Sequence, residues 1–232
     1  MHPAKPLIAA VVAAILAAPA ALAQAPAAST GGAAFAAVGP VTLQADVGAI
    51  IGDPVEVRGR LAAAAGEVVR IEREDAETST WTAVARTTVD DDGSFVARWE
   101  TFELGSHALR AVPVGSGEAR SSAVDIPTAL TTVFRPARAT WYGPGFWGAR
   151  TACGQRLRRS TLGVAHRKLK CGTRVVLFHE GAAIEVPVID RGPFTSGASW
   201  DLTQAAAERI GMTATTRIGW ARAVPAPARA AR

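Results

Sequence analysis

The stretch that decides the fold runs from Ala139 to Met212. It opens with Ala139-Thr140-Trp141-Tyr142-Gly143 and Thr151-Ala152-Cys153-Gly154, and continues through Gly163-Val164-Ala165-His166 and Lys170-Cys171-Gly172-Thr173. It closes with Val188-Ile189-Asp190-Arg191-Gly192-Pro193-Phe194 and Trp200-Asp201-Leu202-Thr203. Residues 138–142, 174–178 and 183–189 read as strands, and residues 203–210 as a short helix with Asp201 before it and Gly211 after it. Those flanking residues are ordinary helix start and stop signals. Short strands, many glycines and one small helix fit a closed six-stranded barrel, because closure removes exposed sheet edges.

Taken in that order, the six motifs resemble the double-psi β-barrel of the RlpA family of murein-cleaving proteins. Expansins and family 45 endoglucanases share the barrel, with a similar opening and a similar closing Asp. The matched motifs cover roughly a third of the chain. The resemblance implies a groove for a polysaccharide and, in RlpA-like proteins, a lytic transglycosylase activity on peptidoglycan that needs no cofactor or metal.

Asp190 is the first candidate for chemistry. It ends the apolar run Val186-Pro187-Val188-Ile189 and enters an Arg-Gly-Pro turn. An acid at a strand end, backed by apolar neighbours, is partly desolvated, which favours its protonated form. Arg191 would oppose this if its side chain turned inward, and a turn-capping role for Asp190 is the alternative. The resemblance makes Asp190 the acid/base carboxylate of both steps. It first protonates the glycosidic oxygen and then deprotonates the 6-hydroxyl that closes a 1,6-anhydro ring. A water-using glycosidase would usually need two carboxylates. Asp201 is the second catalytic candidate: it matches the closing Asp of expansins and related endoglucanases, where it lines the groove and acts as the acid in the hydrolases, and it is equally an N-cap for the helix behind it. The resemblance also places His166 in the groove as a catalytic candidate, with Thr151, Gln155, Arg191 and Tyr142 as substrate contacts. At least one of Trp141 and Tyr142 is expected in the barrel core, and Trp147 on an exposed platform, since aromatic faces stack on sugar rings.

The chain departs from the family at one point. RlpA-like enzymes carry Thr-Ala-Ser-Gly-Glu where this chain has Thr151-Ala152-Cys153-Gly154-Gln155. Gln155 can hydrogen-bond a sugar but cannot exchange a proton. The alternative function is therefore a non-catalytic, expansin-like wall-binding protein.

The N-terminus reads as a Sec-type signal peptide over residues 1–23: Lys5, an apolar run over 7–22, and Ala21-Leu22-Ala23 before Gln24. The run falls short of the roughly 20 residues a membrane span needs. No Cys follows it, so a secreted monomer without a lipid anchor is expected. The only two cysteines, Cys153 and Cys171, would pair in an oxidising compartment, with a reactive thiol as the alternative. Two Cys and scattered His do not make a zinc site.

Working outward, residues 24–38 and 225–232 are Ala/Pro-rich and read as a disordered linker and tail. Residues 39–128 carry 8 Arg against 15 Asp and Glu, a net of −7, while 137–224 carry 13 Arg and Lys against 5 acids, a net of +8. That split puts a linker at 129–136 and suggests a polyanionic partner for the basic half. Secretion argues against nucleic acid and for cell-wall polysaccharide. The acidic half alternates apolar and polar residues over 41–47, 54–61, 68–73, 81–89, 94–99 and 106–112, so it reads as strands. Asp90-Asp91-Asp92-Gly93 reads as a hairpin turn. The fold expected is all-β: an immunoglobulin-like sandwich over 39–128, then the barrel over 137–224.

Overall fold

The computed structural model describes residues 34–38, 41–61, 65–114 and 126–223. The signal peptide, most of the 24–38 linker and the 225–232 tail lie outside them. Among the described residues the fold is all-β with one short helix.

The acidic half forms two sheets around a shared core. One holds β1 (Ala34–Val38), β2 (Val41–Ala45), β4 (Pro54–Arg60) and β7 (Ser94–Glu100), in that order. The other holds β3 (Gly48–Ile50), the start of β9 (Thr128–Tyr142), β8 (Gly105–Val114), β5 (Val68–Glu74) and β6 (Trp81–Thr88). Period-two patterning drives the packing. Leu43, Val55, Val57, Phe95 and Trp99 of the first sheet meet Val69, Ile71, Leu109 and Val133 of the second, all buried. The Asp90–Gly93 turn forms, with Gly93 at φ 83°. It is not the expected hairpin turn, because β6 pairs with β5 while β7 pairs with β4; it carries the chain from one sheet to the other.

The barrel closes as a ring of six strands. The second half of β9 pairs with β14 (Thr216–Arg222), then follow β11 (Arg174–His179), β12 (Ala182–Asp190), β10 (Val164–Ala165) and β13 (Trp200–Thr203), which pairs back onto β9. Val175, Leu177, Val186, Val188, Trp200, Leu202 and Ile218 fill the interior with α1 (Gln204–Arg209) against them. The helix N-cap is Thr203, whose hydroxyl accepts from the Ala206 amide, so Asp201 is not the cap.

Two expected boundaries need correction. Residues 34–38 pair with β2 as a strand, although their Ala-rich composition reads as linker. Residues 129–136 are likewise no linker: β9 runs unbroken from one sheet system into the other. Around it sits a small third core in which Phe134 stacks on Phe178 at 5.0 Å beside Ile50. Arg217 of the barrel pairs with Asp53 of the sandwich at 3.1 Å. Gly219 is required here, since a Cβ would stand 2.6 Å from Phe134.

Candidate functional site

Strand register assembles the site. Ala165 pairs with Asp190 on one side and Asp201 on the other, and Asp201 pairs with Thr140. Directly paired residues on adjacent strands present their side chains to one face. The row Asp190–Ala165–Asp201–Thr140 therefore crosses four strands. Neighbouring strands lie about 4.8 Å apart, so the two aspartates stand roughly 10 Å apart at the backbone. Ala165 lies between them in the row. They line a cleft of about 300 Å³ together with Tyr142, Phe146, Arg150, Thr151, Arg191 and Phe194.

The two carboxylates have different surroundings. Asp190 Oδ1 accepts from the amides of Ala152 and Arg191, both at 2.8 Å. The Arg191 guanidinium turns away from it, donating to the backbone oxygens of His166 at 3.4 Å and Asp190 at 3.3 Å and to Cys171 Sγ at 3.4 Å. Asp201 Oδ1 accepts from the Thr140 hydroxyl at 2.7 Å. Burial holds the Asp201 pKa above the usual carboxylate range; the Thr140 hydrogen bond opposes this and the Asp190 charge reinforces it. Burial, and then the charges of Asp190 and Asp201, push the Tyr142 phenol well above its ordinary value, so it stays a neutral donor. The Tyr142 hydroxyl lies near enough to Asp190 to feel the carboxylate without closing a hydrogen bond of ordinary geometry. Thr151 Oγ1 is also buried with no partner among the described residues. Buried polar groups are rarely left unpaired, and these two hydroxyls sit behind the cleft wall, shielded from solvent.

The Cys153–Cys171 disulfide forms, with the Cα atoms 5.7 Å apart. It fastens the turn that supplies the Ala152 amide: Cys153 N donates to Ile189 O at 3.3 Å, next to the Asp190 contact. Gly163 lets this region close, because a Cβ there would meet Ile189 at 2.5 Å.

Three expected site residues fall outside the cleft lining. His166 follows Ala165, and alternation turns it to the other face. Its Nδ1 accepts from the amides of Lys168 at 3.1 Å and Leu169 at 2.9 Å, and its ring lies 4.6 Å from that of Trp200. Burial and then the charges of Arg167, Arg191 and Lys168 lower its pKa. Trp147 folds over Gly143, where a Cβ would stand 2.4 Å from the indole, with Arg159 5.9 Å from its centroid, so it is no open platform. Gln155 is exposed, and its contribution to the turn is a backbone oxygen that accepts from the Thr151 amide at 2.8 Å. Sequence reasoning misses Thr140, Phe146, Arg150 and Phe194. Phe194 stands in the Asp-Arg-Gly-Pro-Phe motif, which is the signal available for it.

Residues 136–223 match the family described as lytic transglycolase, DPBB_1. A probable endolytic peptidoglycan transglycosylase RlpA of Synechocystis is 39% identical over 110 residues, covering 47% of this chain and 34% of that protein. Its counterpart in Aquifex aeolicus is 42% identical over 76 residues, 32% of this chain and 34% of that protein. The endolytic peptidoglycan transglycosylase RlpA of Campylobacter jejuni is 38% identical over 78 residues, 33% of this chain and 28% of that protein. The chain thus spans about a third of the length of these relatives. Among solved structures, the Streptomyces papain inhibitor (SPI) aligns with a TM-score of 0.30 at 23% identity, over 37% of this chain and 92% of that one. No helix of the described residues is long and apolar enough to cross a membrane.

Proposed function

We propose that this chain, whose residues 136–223 form an RlpA-like double-psi β-barrel, is a secreted peptidoglycan lytic transglycosylase. The observation that carries the reading is the pair Asp190 and Asp201. They face one cleft astride Ala165, and neither is in a salt bridge among the described residues.

The raised pKa of Asp201 supports dividing the work that the family resemblance gives to Asp190 alone. Asp201 donates its proton to the glycosidic oxygen as the bond to C1 breaks. The sugar's own 6-hydroxyl attacks C1 and passes its proton to Asp190, which closes the 1,6-anhydro ring. Two amide donors fix Asp190 Oδ1, which leaves Oδ2 to take that proton. Arg150 and Arg191, which line the same cleft, would orient the sugar between the acids. The N-terminal sandwich is immunoglobulin-like in this reading, supported by its strand order, in which β3 runs parallel to β9. It holds the barrel at the wall.

Purified sacculi incubated with the protein should release 1,6-anhydro muropeptides, read by mass spectrometry, and Asp190→Ala should abolish them. Undiminished product from that variant would remove Asp190 from the mechanism. Products with reducing ends, one water heavier, would instead assign hydrolysis. The second reading, an expansin-like wall binder, is favoured by Gln155 where lytic relatives carry Glu. It predicts sedimentation with sacculi and no soluble product.

A further inference from the structure

Two phenylalanines stand open at the mouth of the cleft. Phe146 is 57% exposed and Phe194 is 85% exposed, and both line the cleft that holds Asp190 and Asp201. Leaving a large apolar ring in water forgoes hydrophobic free energy that burial would supply. Phe146 is steadied by Tyr142, whose ring it meets edge-on at 6.3 Å. Phe194 lies on the loop between β12 and β13, which Ser199 N anchors at its far end by donating to Arg138 O at 2.9 Å and which Arg167 ties down around Phe194. Arg167 Nε donates to Pro193 O at 2.6 Å, while Nη2 donates to Ala198 O at 2.8 Å and Thr195 O at 3.3 Å. One planar guanidinium thereby serves three carbonyls flanking Phe194. A lysine ammonium has the charge but not the fork, so it cannot reproduce that geometry.

We propose that Phe146 and Phe194 grip a pyranose ring of an N-acetylhexosamine strand, and that Arg167 is the positioning residue that holds Phe194 ready for it. The apolar C–H face of a pyranose matches an aromatic face, while its rim of hydroxyls matches the Asp190 and Asp201 carboxylates and the Arg150 and Arg191 side chains lining the same cleft. Fixing the ring in advance spares the ordering cost that a mobile aromatic would meet on binding. The choice of sugar as the occupant rests on the wall-cleaving reading above.

The test is calorimetric titration of the full chain with chitohexaose, beside digestion of sacculi. Phe194→Ala should bind about tenfold more weakly with an unchanged melting temperature, since the ring supports no core. Arg167→Ala and Arg167→Lys should each lose several-fold in affinity, and Arg167→Ala combined with Phe194→Ala should be no weaker than Phe194→Ala alone. In digestion, both single losses should appear as a raised KM with kcat retained. Wild-type affinity in Phe194→Ala would overturn the grip. Wild-type affinity in Arg167→Lys, or losses that multiply in the double variant, would overturn the positioning role of Arg167. If the wild type gives no Asp190-dependent product yet binds the hexamer through Phe194, the lytic reading fails and the grip stands. If product forms with the same KM in Phe194→Ala, the grip fails and the lytic reading stands.

Discussion

The sandwich and the barrel each draw an acid inward, and they treat it in opposite ways. In the sandwich Glu72 is 5% exposed, yet both its oxygens are taken: Arg70 Nε meets Oε1 at 2.6 Å and Arg110 Nη2 meets Oε2 at 2.7 Å. Trp81 covers Arg110 with its ring 4.1 Å from the guanidinium carbon. In the barrel Asp201 has a hydroxyl and a second carboxylate for company, and the guanidinium of Arg191, next to Asp190, is turned onto carbonyls. A buried charge that is fully paired serves the fold, whereas one left beside a like charge stores a proton for use. The contrast gives the proposed division between a structural acid, Glu72, and a chemical one, Asp201, its physical basis.

The sharpest way to break the contrast is to exchange what each acid does. Asp201→Asn should lower the rate of product formation by about 10²- to 10⁴-fold, the usual weight of a general acid, measured on sacculi. The stability of that variant should move the other way. Burial raises the Asp201 pKa in the fold above its unfolded value, so the folded state holds the proton longer. Its contribution is therefore best below the unfolded carboxylate pKa and declines as pH climbs through the folded one. Asn removes the decline, so chemical denaturation should find the variant gaining on wild type as pH rises across that window. A variant that loses ground there would mean Asp201 is a structural acid like Glu72.

Glu72→Ala should cost roughly 3–5 kcal/mol of stability by leaving two arginines partly buried without a counter-charge. Turnover per folded molecule should be unchanged. A loss of turnover with full stability would erase the distinction between the two acids. Reduction of Cys153–Cys171 should cost about 3 kcal/mol for a sequence separation of 18. It should also slow cleavage, since the turn it fastens supplies the Ala152 amide to Asp190.

Much of this is legible in the chain. Alternation places most strands of the acidic half, while in the barrel the sequence yields part of β9, β11 and β12 and misses β10, β13 and β14; the end of an apolar strand singles out Asp190 among the acids of the basic half. What cannot be read is pairing across the sheet. Nothing local to Ala165 says that it lies between Asp190 and Asp201, because that row is made by strands distant in sequence. His166 is misplaced for a related reason: its motif puts it in the groove, but its face depends on which neighbour points into the cleft, and Ala165 takes that place. Residues 129–136 read as a break because the charge changes sign across them, while ladder bonds on both sides make them a strand. Trp147 stands in Gly-rich sequence that suggests an open platform, and the tight fit of the indole on Gly143 reverses that expectation.

The unbroken course of β9 has a mechanical consequence. With the same fifteen-residue strand shared by both sheet systems and an aromatic stack wedged at the crossing, the molecule is a lever rather than beads on a string. Wherever the sandwich comes to rest, the direction in which the barrel cleft faces is set with it.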